Sequence, residues 1–484
     1  MLNLQDYYGR QEVRQRMVEF LGSHCLEEAT CAYLTADDCS PVPDFRPRMP
    51  GELWACLDAG MEVKRSLWDR RSLIIHLDIE HVNFDYPAEP YVDPERSLEL
   101  QRPVVRCLQK HLLAFGIAPL HLLSGRGHHL VWRVERGCRA FQRLAEQGVL
   151  PGTLRGTYRD AQPPREETVG LEAGAAFAGT GQVLEYLAHQ VLQDPQGRCR
   201  IPVQLTEVET SRARRGREIV CLDLSEYGDP LNTRIVRIPF SVYHKPRQRR
   251  DTLGDHVVDE LPPLFLVPLF EMDERRGLLA MRDPLAAADL ARYASVEIPD
   301  HSEGTARLAE AYAASSTAAF HRWFYGQEHE SPDHWPETYD RTSLDLLPPC
   351  ARRILVQPND ALLKPAGVRH VVRALLALGW HPRHVAGLIR SKYERDFGWG
   401  DKFFRYDAAT RADFYTRLLA GLIALGLDEL EDFQCEDLQA IGFCTTEQCD
   451  GSLGRYRESL LERRRHERLA SRPLHGLFLP DEHL

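Results

Sequence analysis

The chain has 484 residues, enough for roughly two to four domains. Its 43% hydrophobic and 27% charged residues exclude a disordered or fibrous chain and imply a sizeable buried core. A net charge of −11 argues against a nonspecific coat for nucleic acid while leaving room for a local basic groove, and no apolar run is long enough to span a bilayer.

The N-terminal MLNLQDYYGRQEVRQRM is polar and mixed in charge, unlike a secretory leader, so cytoplasmic residence is the expectation. Residues 1–60 combine a helical start with a strand-like CAYLTA and belong to the module that follows. Within 61–255 strands are predicted at 73–79, 119–124, 129–134 and 218–224. A helix is predicted over 97–116, ending on a glycine stop, and another over 167–193, broken by its glycines. Residues 256–340 read as a helical connector with proline-rich joints, closing in a polar linker at 326–340. Residues 341–484 are helical again. Val368, Val371, Val372, Leu375 and Leu376 follow the spacing of one helix face, and SLLERRRHERLASRP forms a charged helix or tail. The runs 211–218 and 234–250 are dense in Arg and Lys, which fits either a basic groove or a solvated loop.

Side-chain alternation along SLIIHLDIEHVNFD puts Leu73, Ile75, Leu77 and Ile79 on one face and His76, Asp78 and Glu80 on the other. Two carboxylates about 5 Å apart repel by about 3 kcal/mol at an effective dielectric near 20, and a divalent cation offsets that directly. Solvated acids on an edge strand are the alternative. Asp223 is one acid within the apolar part of the strand in REIVCLDLS, so it sits at a strand end in water, pairs with a cation, or ligates a metal. In SGRGHHLVW the Ser-Gly-Arg-Gly stretch suits a tight turn open to an anion, with the Ser124 hydroxyl and Arg126 as donors. His128 shares the bulky apolar face of the strand that follows and reads as structural, whereas His129 is the functional candidate. RIPFSVYHKP adds Arg237, Ser241, His244 and Lys245, a donor set that suits a polyanion such as a triphosphate or else a basic surface hairpin.

The order of these pieces resembles the archaeo-eukaryotic primase superfamily over roughly residues 60–250. That resemblance implies an α+β core with an RRM-like mixed sheet, acting as a primase or primase–polymerase. It implies Asp78, Glu80 and Asp223 as ligands for two Mg²⁺ or Mn²⁺ ions. It also implies Ser124, Arg126, His129, Arg237, Ser241, His244 and Lys245 as nucleotide-binding residues, with single-stranded DNA and nucleoside triphosphates as partners. The first motif departs from the family's Asp-x-Asp by reading Asp-x-Glu, which still offers a hard oxygen ligand. That departure keeps a non-catalytic nucleic-acid binder open as an alternative, and clustered acids also suit a metal-dependent nuclease.

Of the twelve cysteines, Cys350 in LPPC and Cys435, Cys444 and Cys449 in FQCEDLQAIGFCTTEQC stand on one helical region. Four thiolates suit zinc or an iron–sulfur cluster, and four independent buried thiols are the alternative. A proline–proline–cysteine, intervening helices and three later cysteines are similar to the C-terminal domain of the primase large subunit over roughly 345–450. That similarity implies a [4Fe–4S] cluster, with Zn²⁺ second. Cys25, Cys31 and Cys39, with His24, are irregularly spaced and read as ordinary thiols.

Overall fold

The computed structural model describes residues 4–40, 46–210, 217–270, 272–395, 397, 406–444, 449 and 453–470, with side chains as far as 464. The basic run at 211–218 therefore falls outside the described residues except for its last two positions, and so does the tail beyond 470.

The molecule is a mixed α+β structure built on two sheets. The strands are β1 (Leu34–Asp37), β2 (Glu62–Ser66), β3 (Ser72–Asn83), β4 (Leu120–Leu123), β5 (Gly127–Glu135), β6 (Val203–Gln204), β7 (Glu218–Asp223), β8 (Ile235–Arg237) and β9 (Val267–Pro268). The larger sheet has the order β6-β7-β3-β5-β4-β9 and the smaller β1-β2-β8. Only β6 and β7 run parallel. β3 is central, so its acids are not those of an edge strand. Its Leu77, Ile79 and His81 face a helix, α1 (Pro94–Ala114), whose Arg96 reaches Glu218 beneath the sheet at 2.9 Å. The opposite face, with His76, Asp78 and Glu80, is left for chemistry.

A second helix, α2 (Leu171–Gln193), runs unbroken through Gly174, Gly179 and Gly181, contrary to the expected interruption. These glycines make room for neighbours. A β-carbon on Gly179 would lie 1.9 Å from the Leu144 carbonyl oxygen, one on Gly174 2.2 Å from the Tyr158 ring, and one on Gly181 2.6 Å from Tyr227. Close packing outweighs the roughly 1 kcal/mol of propensity that each glycine costs a helix. The 326–340 stretch is irregular, as its prolines require, but it is packed: Trp335 and Tyr339 are buried and the Tyr339 hydroxyl lies 3.3 Å from His384 Nδ1.

The C-terminal region is helical, with α3 (Pro365–Ala377) and α4 (Ala408–Ala424) at its centre. Val368, Val371, Val372, Leu375 and Leu376 are all buried, as their spacing predicts. α4 packs on the turn after β7, with Phe414 against Gly228. It also sends Arg417 to Glu185 of α2 at 3.0 Å, both side chains buried. Among the described residues, no helix is long and apolar enough to cross a membrane.

Candidate active site

The register of the large sheet assembles the site. Asp78 on β3 stands opposite His129 of β5 on one side and Asp223 of β7 on the other. Three chemistry-bearing side chains thus form one row across three adjacent strands, and facing residues in such pairs bring their β-carbons to about 5 Å. Glu80 occupies the next row, opposite Gly127 and Cys221.

The acids are not equivalent. Burial, then the Glu80 and Asp223 carboxylates, hold Asp78 above the usual range against the opposing pull of His76 and Lys245. Burial, with Glu207 and Glu80, pushes Asp223 up to about 6, although the Ser225 N–H donates to its Oδ1 at 2.9 Å. Burial alone would also raise Glu80, but Arg126, Lys245 and Arg237 outweigh it and lower the carboxyl. Arg126 bonds directly to Glu80, and Lys245 Nζ lies 3.5 Å from the other Glu80 oxygen. Asp78 and Asp223 therefore form the uncompensated pair, and Asp78 Oδ1 is buried without a hydrogen-bond partner among the described residues. Three carboxylates on one face, one with an orphaned buried oxygen, fit hard divalent cations. The three are not drawn as a set to within 4.8 Å of one another, the separation of a single-ion cage.

The 124–127 turn closes the β4–β5 hairpin, with the Ser124 N–H donating to the Gly127 carbonyl at 2.7 Å. Both glycines are required by close approach. A β-carbon on Gly125 would meet the Tyr243 ring at 2.8 Å, and one on Gly127 would meet the Ile79 carbonyl at 1.9 Å. The Ser124 hydroxyl is buried with no partner among the described residues, and Arg126 is buried and committed to Glu80. The Gln101 amide of α1 donates to the Arg126 carbonyl at 2.9 Å, so α1 supports the turn from beneath.

His129 is held by a chain that sequence reasoning did not identify. Glu226 accepts from His76 Nδ1 at 2.9 Å, and His76 Nε2 lies 2.5 Å from His129 Nδ1. Burial alone would lower His76, but the adjacent Glu226 outweighs it and raises the imidazole. Burial, then the charge on His76, keeps His129 well below its ordinary value. The two imidazoles share the hydrogen bond between them, and His129 Nε2 is buried, without a hydrogen-bond partner among the described residues, and 3.9 Å from Asp78 Oδ1. β7 stops pairing at Asp223. The Tyr227 hydroxyl takes over, donating to the His76 carbonyl at 2.8 Å and accepting from its N–H at 3.2 Å. Only the offsets in LDLSEYG, with Glu226 and Tyr227 three and four residues after Asp223, hinted at this.

The 237–245 donors divide. Lys245 faces Glu80. Arg237 bonds to the fully buried Glu62 and stacks 4.3 Å over Tyr243, so it braces the site. Ser241 donates to the Ile238 carbonyl at 2.6 Å inside a buried turn, so its hydroxyl proton is engaged within the protein. His244 Nδ1 lies 3.1 Å from Cys39 Sγ. The segment is pinned by Phe240 at φ +65, a left-handed conformation that costs a bulky residue about 1–2 kcal/mol. Tyr7 donates to the Phe240 carbonyl at 3.0 Å, and the Val242 N–H donates to Tyr8 at 3.0 Å. His128 is buried and pairs with His121 at 2.9 Å, as expected of a structural residue.

In the C-terminal region, Cys444 and Cys449 both act on the thiols of Cys350 and Cys435. Burial pushes Cys350 up to about 11 and also raises Cys435, with the neighbouring thiols adding to it. Cysteines separated by as many as 99 positions, from Cys350 to Cys449, are thus gathered. No three of their sulfurs close to within 4.8 Å, whereas tetrahedral zinc at 2.3 Å needs S···S of about 3.8 Å. His370 Nε2 lies 3.2 Å from Cys350 Sγ. Cys31 is buried, and Cys25 and Cys39 join no group of metal-ligating side chains among the described residues.

The chain matches no protein-family model, and no curated protein or solved structure matches it at a significant level.

Proposed function

We propose that the protein is a nucleotidyltransferase of the primase or primase–polymerase type, copying a single-stranded DNA template from nucleoside triphosphates. The observation that carries this reading is the row Asp223–Asp78–His129 across β7, β3 and β5. It places two uncompensated carboxylates beside an imidazole on a face that no helix of the large sheet's other side covers.

Asp78 and Asp223, with Glu80, would hold Mg²⁺ or Mn²⁺, which when bound neutralise triphosphate charge and favour attack by a 3′-hydroxyl. The chain's own part is positioning and charge. His129 Nε2–H is poised to donate to a phosphate oxygen, its orientation fixed by His76 and Glu226. The Ser124 hydroxyl, without a partner among the described residues, offers a second donor. Lys245, half-tied to Glu80, supplies a mobile cation at the same edge. Arg126 and Arg237 keep Glu80 ionised. The four gathered cysteines would hold a [4Fe–4S] cluster in a domain that assists template binding.

Purified protein incubated with single-stranded DNA, labelled nucleotides and Mg²⁺ or Mn²⁺ is expected to yield oligonucleotides, and Asp78→Ala to yield none. Product that persists in Asp78→Ala overturns the assignment of the acids. Anaerobically purified protein is expected to show the visible absorbance of an iron–sulfur cluster, lost in Cys435→Ser. Stoichiometric zinc without that absorbance overturns the cluster.

A further inference from the structure

On the side of α1 away from the sheet, a groove of about 560 Å³ lies between the helix and residues 196–200. One wall carries Arg102, Arg106 and Lys110 and the other Arg198 and Arg200, while Glu99 is its only acid. In a chain of net charge −11, this is a concentrated patch of the opposite sign. Arg102, Arg106 and Lys110 stand at i, i+4 and i+8. They therefore form a straight stripe with a step of about 6 Å along the helix, a step of the same order as that between successive phosphates of an extended strand. Arg102 pairs with Glu274 at 2.8 Å, and Arg200 pairs weakly with Glu99 at 3.6 Å with both side chains well exposed. Arg106 and Arg198 are exposed, and among the described residues neither has an ion pair.

A different ligand has to be weighed against an anion here. Cys107 and His111 of α1 and Asp194 bring their ligand atoms within 4.8 Å of one another, as a metal site would. The electrostatics oppose it. Lys110 Nζ already lies 3.2 Å from Asp194, the Gln196 N–H donates to the same carboxylate at 2.9 Å, and burial with Asp194 pushes the Cys107 thiol up to about 11. Asp194 is paired with Lys110, and a divalent cation would meet the further positive charges of Arg106 and Arg198, which have no ion pair among the described residues. An anion is the favoured guest.

We propose that this groove is a second binding surface for single-stranded nucleic acid, gripping its phosphodiester backbone apart from the catalytic row. The proposal rests on the nucleotidyl-transfer reading for the identity of the polymer. α1 is common to both places: its outer side forms the groove, and its inner side, through Gln101, holds the 124–127 turn. A strand lying in the groove is thereby attached to the element that supports the active-site turn. Phosphate contacts of this kind position a strand without reading its sequence.

The test uses the full-length protein and a labelled 20-nucleotide single strand, followed by fluorescence anisotropy at several salt concentrations. The double variant Arg106→Glu/Arg198→Glu lies on the exposed surface and is expected to fold, which circular dichroism checks. It should bind about tenfold or more weakly at low salt, and its log–log salt slope should fall by about 1.4, since each phosphate contact contributes about 0.7 for single strands. Wild-type affinity and slope in the double variant overturn the groove while leaving the catalytic reading intact. A wild-type protein that binds no single strand overturns both. Loss of binding to a polyglutamate peptide, with DNA binding unchanged, overturns the proposal in favour of an acidic protein partner.

Discussion

Asp223→Asn removes one of two carboxylates that face each other across β3 and β7. At about 5 Å and an effective dielectric near 20, the pair repels by about 3 kcal/mol. Burial first, then the Glu207 and Glu80 carboxylates, make the folded protein keep a proton on Asp223 that the unfolded chain has released. Asp223 titrates at about 6 instead of 3.8, and Asp78 is raised as well. For an acid raised by folding, stability is highest below the unfolded value and falls as pH climbs through the folded one. In EDTA at pH 8 the variant is expected to be more stable than the wild type by up to about 3 kcal/mol. With about 2.1 cal/mol/K of unfolding entropy per residue, 484 residues give about 1 kcal/mol/K, so the melting temperature should rise by about 3 °C. At pH 5, between the unfolded and folded values, about half of the gain should remain, and it should vanish only below the unfolded value of 3.8. Calorimetric melts at pH 5, 6.5 and 8, with and without Mn²⁺, make the measurement. Manganese should raise the wild-type midpoint at pH 8 and leave the variant's unchanged. A variant that melts at or below the wild type at pH 8 in EDTA refutes the claim that this pair is held together at a cost.

Glu226→Gln removes the charge that raises His76, so the His76 imidazole signal should titrate at lower pH by NMR. The KM for nucleotide should rise about tenfold, the worth of one charge-assisted hydrogen bond, with kcat changing less. Gly127→Ala drives a β-carbon into the Ile79 carbonyl and should cost at least about 2 kcal/mol in denaturant melts. Gly152→Ala, a helical position with nothing within 4 Å, should stabilise by about 0.5–1 kcal/mol. Arg417→Met leaves the buried Glu185 with His321 as its remaining partner and should cost about 3–5 kcal/mol, seen as a lower unfolding midpoint.

The strands that build the site were readable because β3, β5 and β7 carry unlike faces. Alternation alone separated Asp78 and Glu80 from Leu77 and Ile79, and His129 from His128. Their register was not readable, since nothing local says that Asp78 must oppose both Asp223 and His129. Residues that act across long separations were likewise hidden. Glu62 meets Arg237 175 positions later, and His76 meets Glu226 150 positions later. The glycines of α2 were misread because propensity is local and the backbone of Leu144 that they admit is not. Ser241 looked like a donor for a ligand, and its hydroxyl closes a turn on the Ile238 carbonyl, a local bond that strand alternation does not reveal. The cysteines could be grouped by region, whereas their approach depends on how α3 and its neighbours fold back on one another.

The contact of α4 with α2 and with the turn after β7 also determines how the molecule can be divided. A fragment ending near residue 345 would retain Glu185, sealed between α2 and the Ser316–Tyr325 helix, but lose the guanidinium that balances it, and it would strip Phe414 from beside Gly228. The severed surface would lie directly behind the segment that carries Asp223 and Glu226. Separately expressed halves are therefore expected to be poor stand-ins for the whole, and a silent N-terminal fragment would report a collapsed wall and not the absence of chemistry.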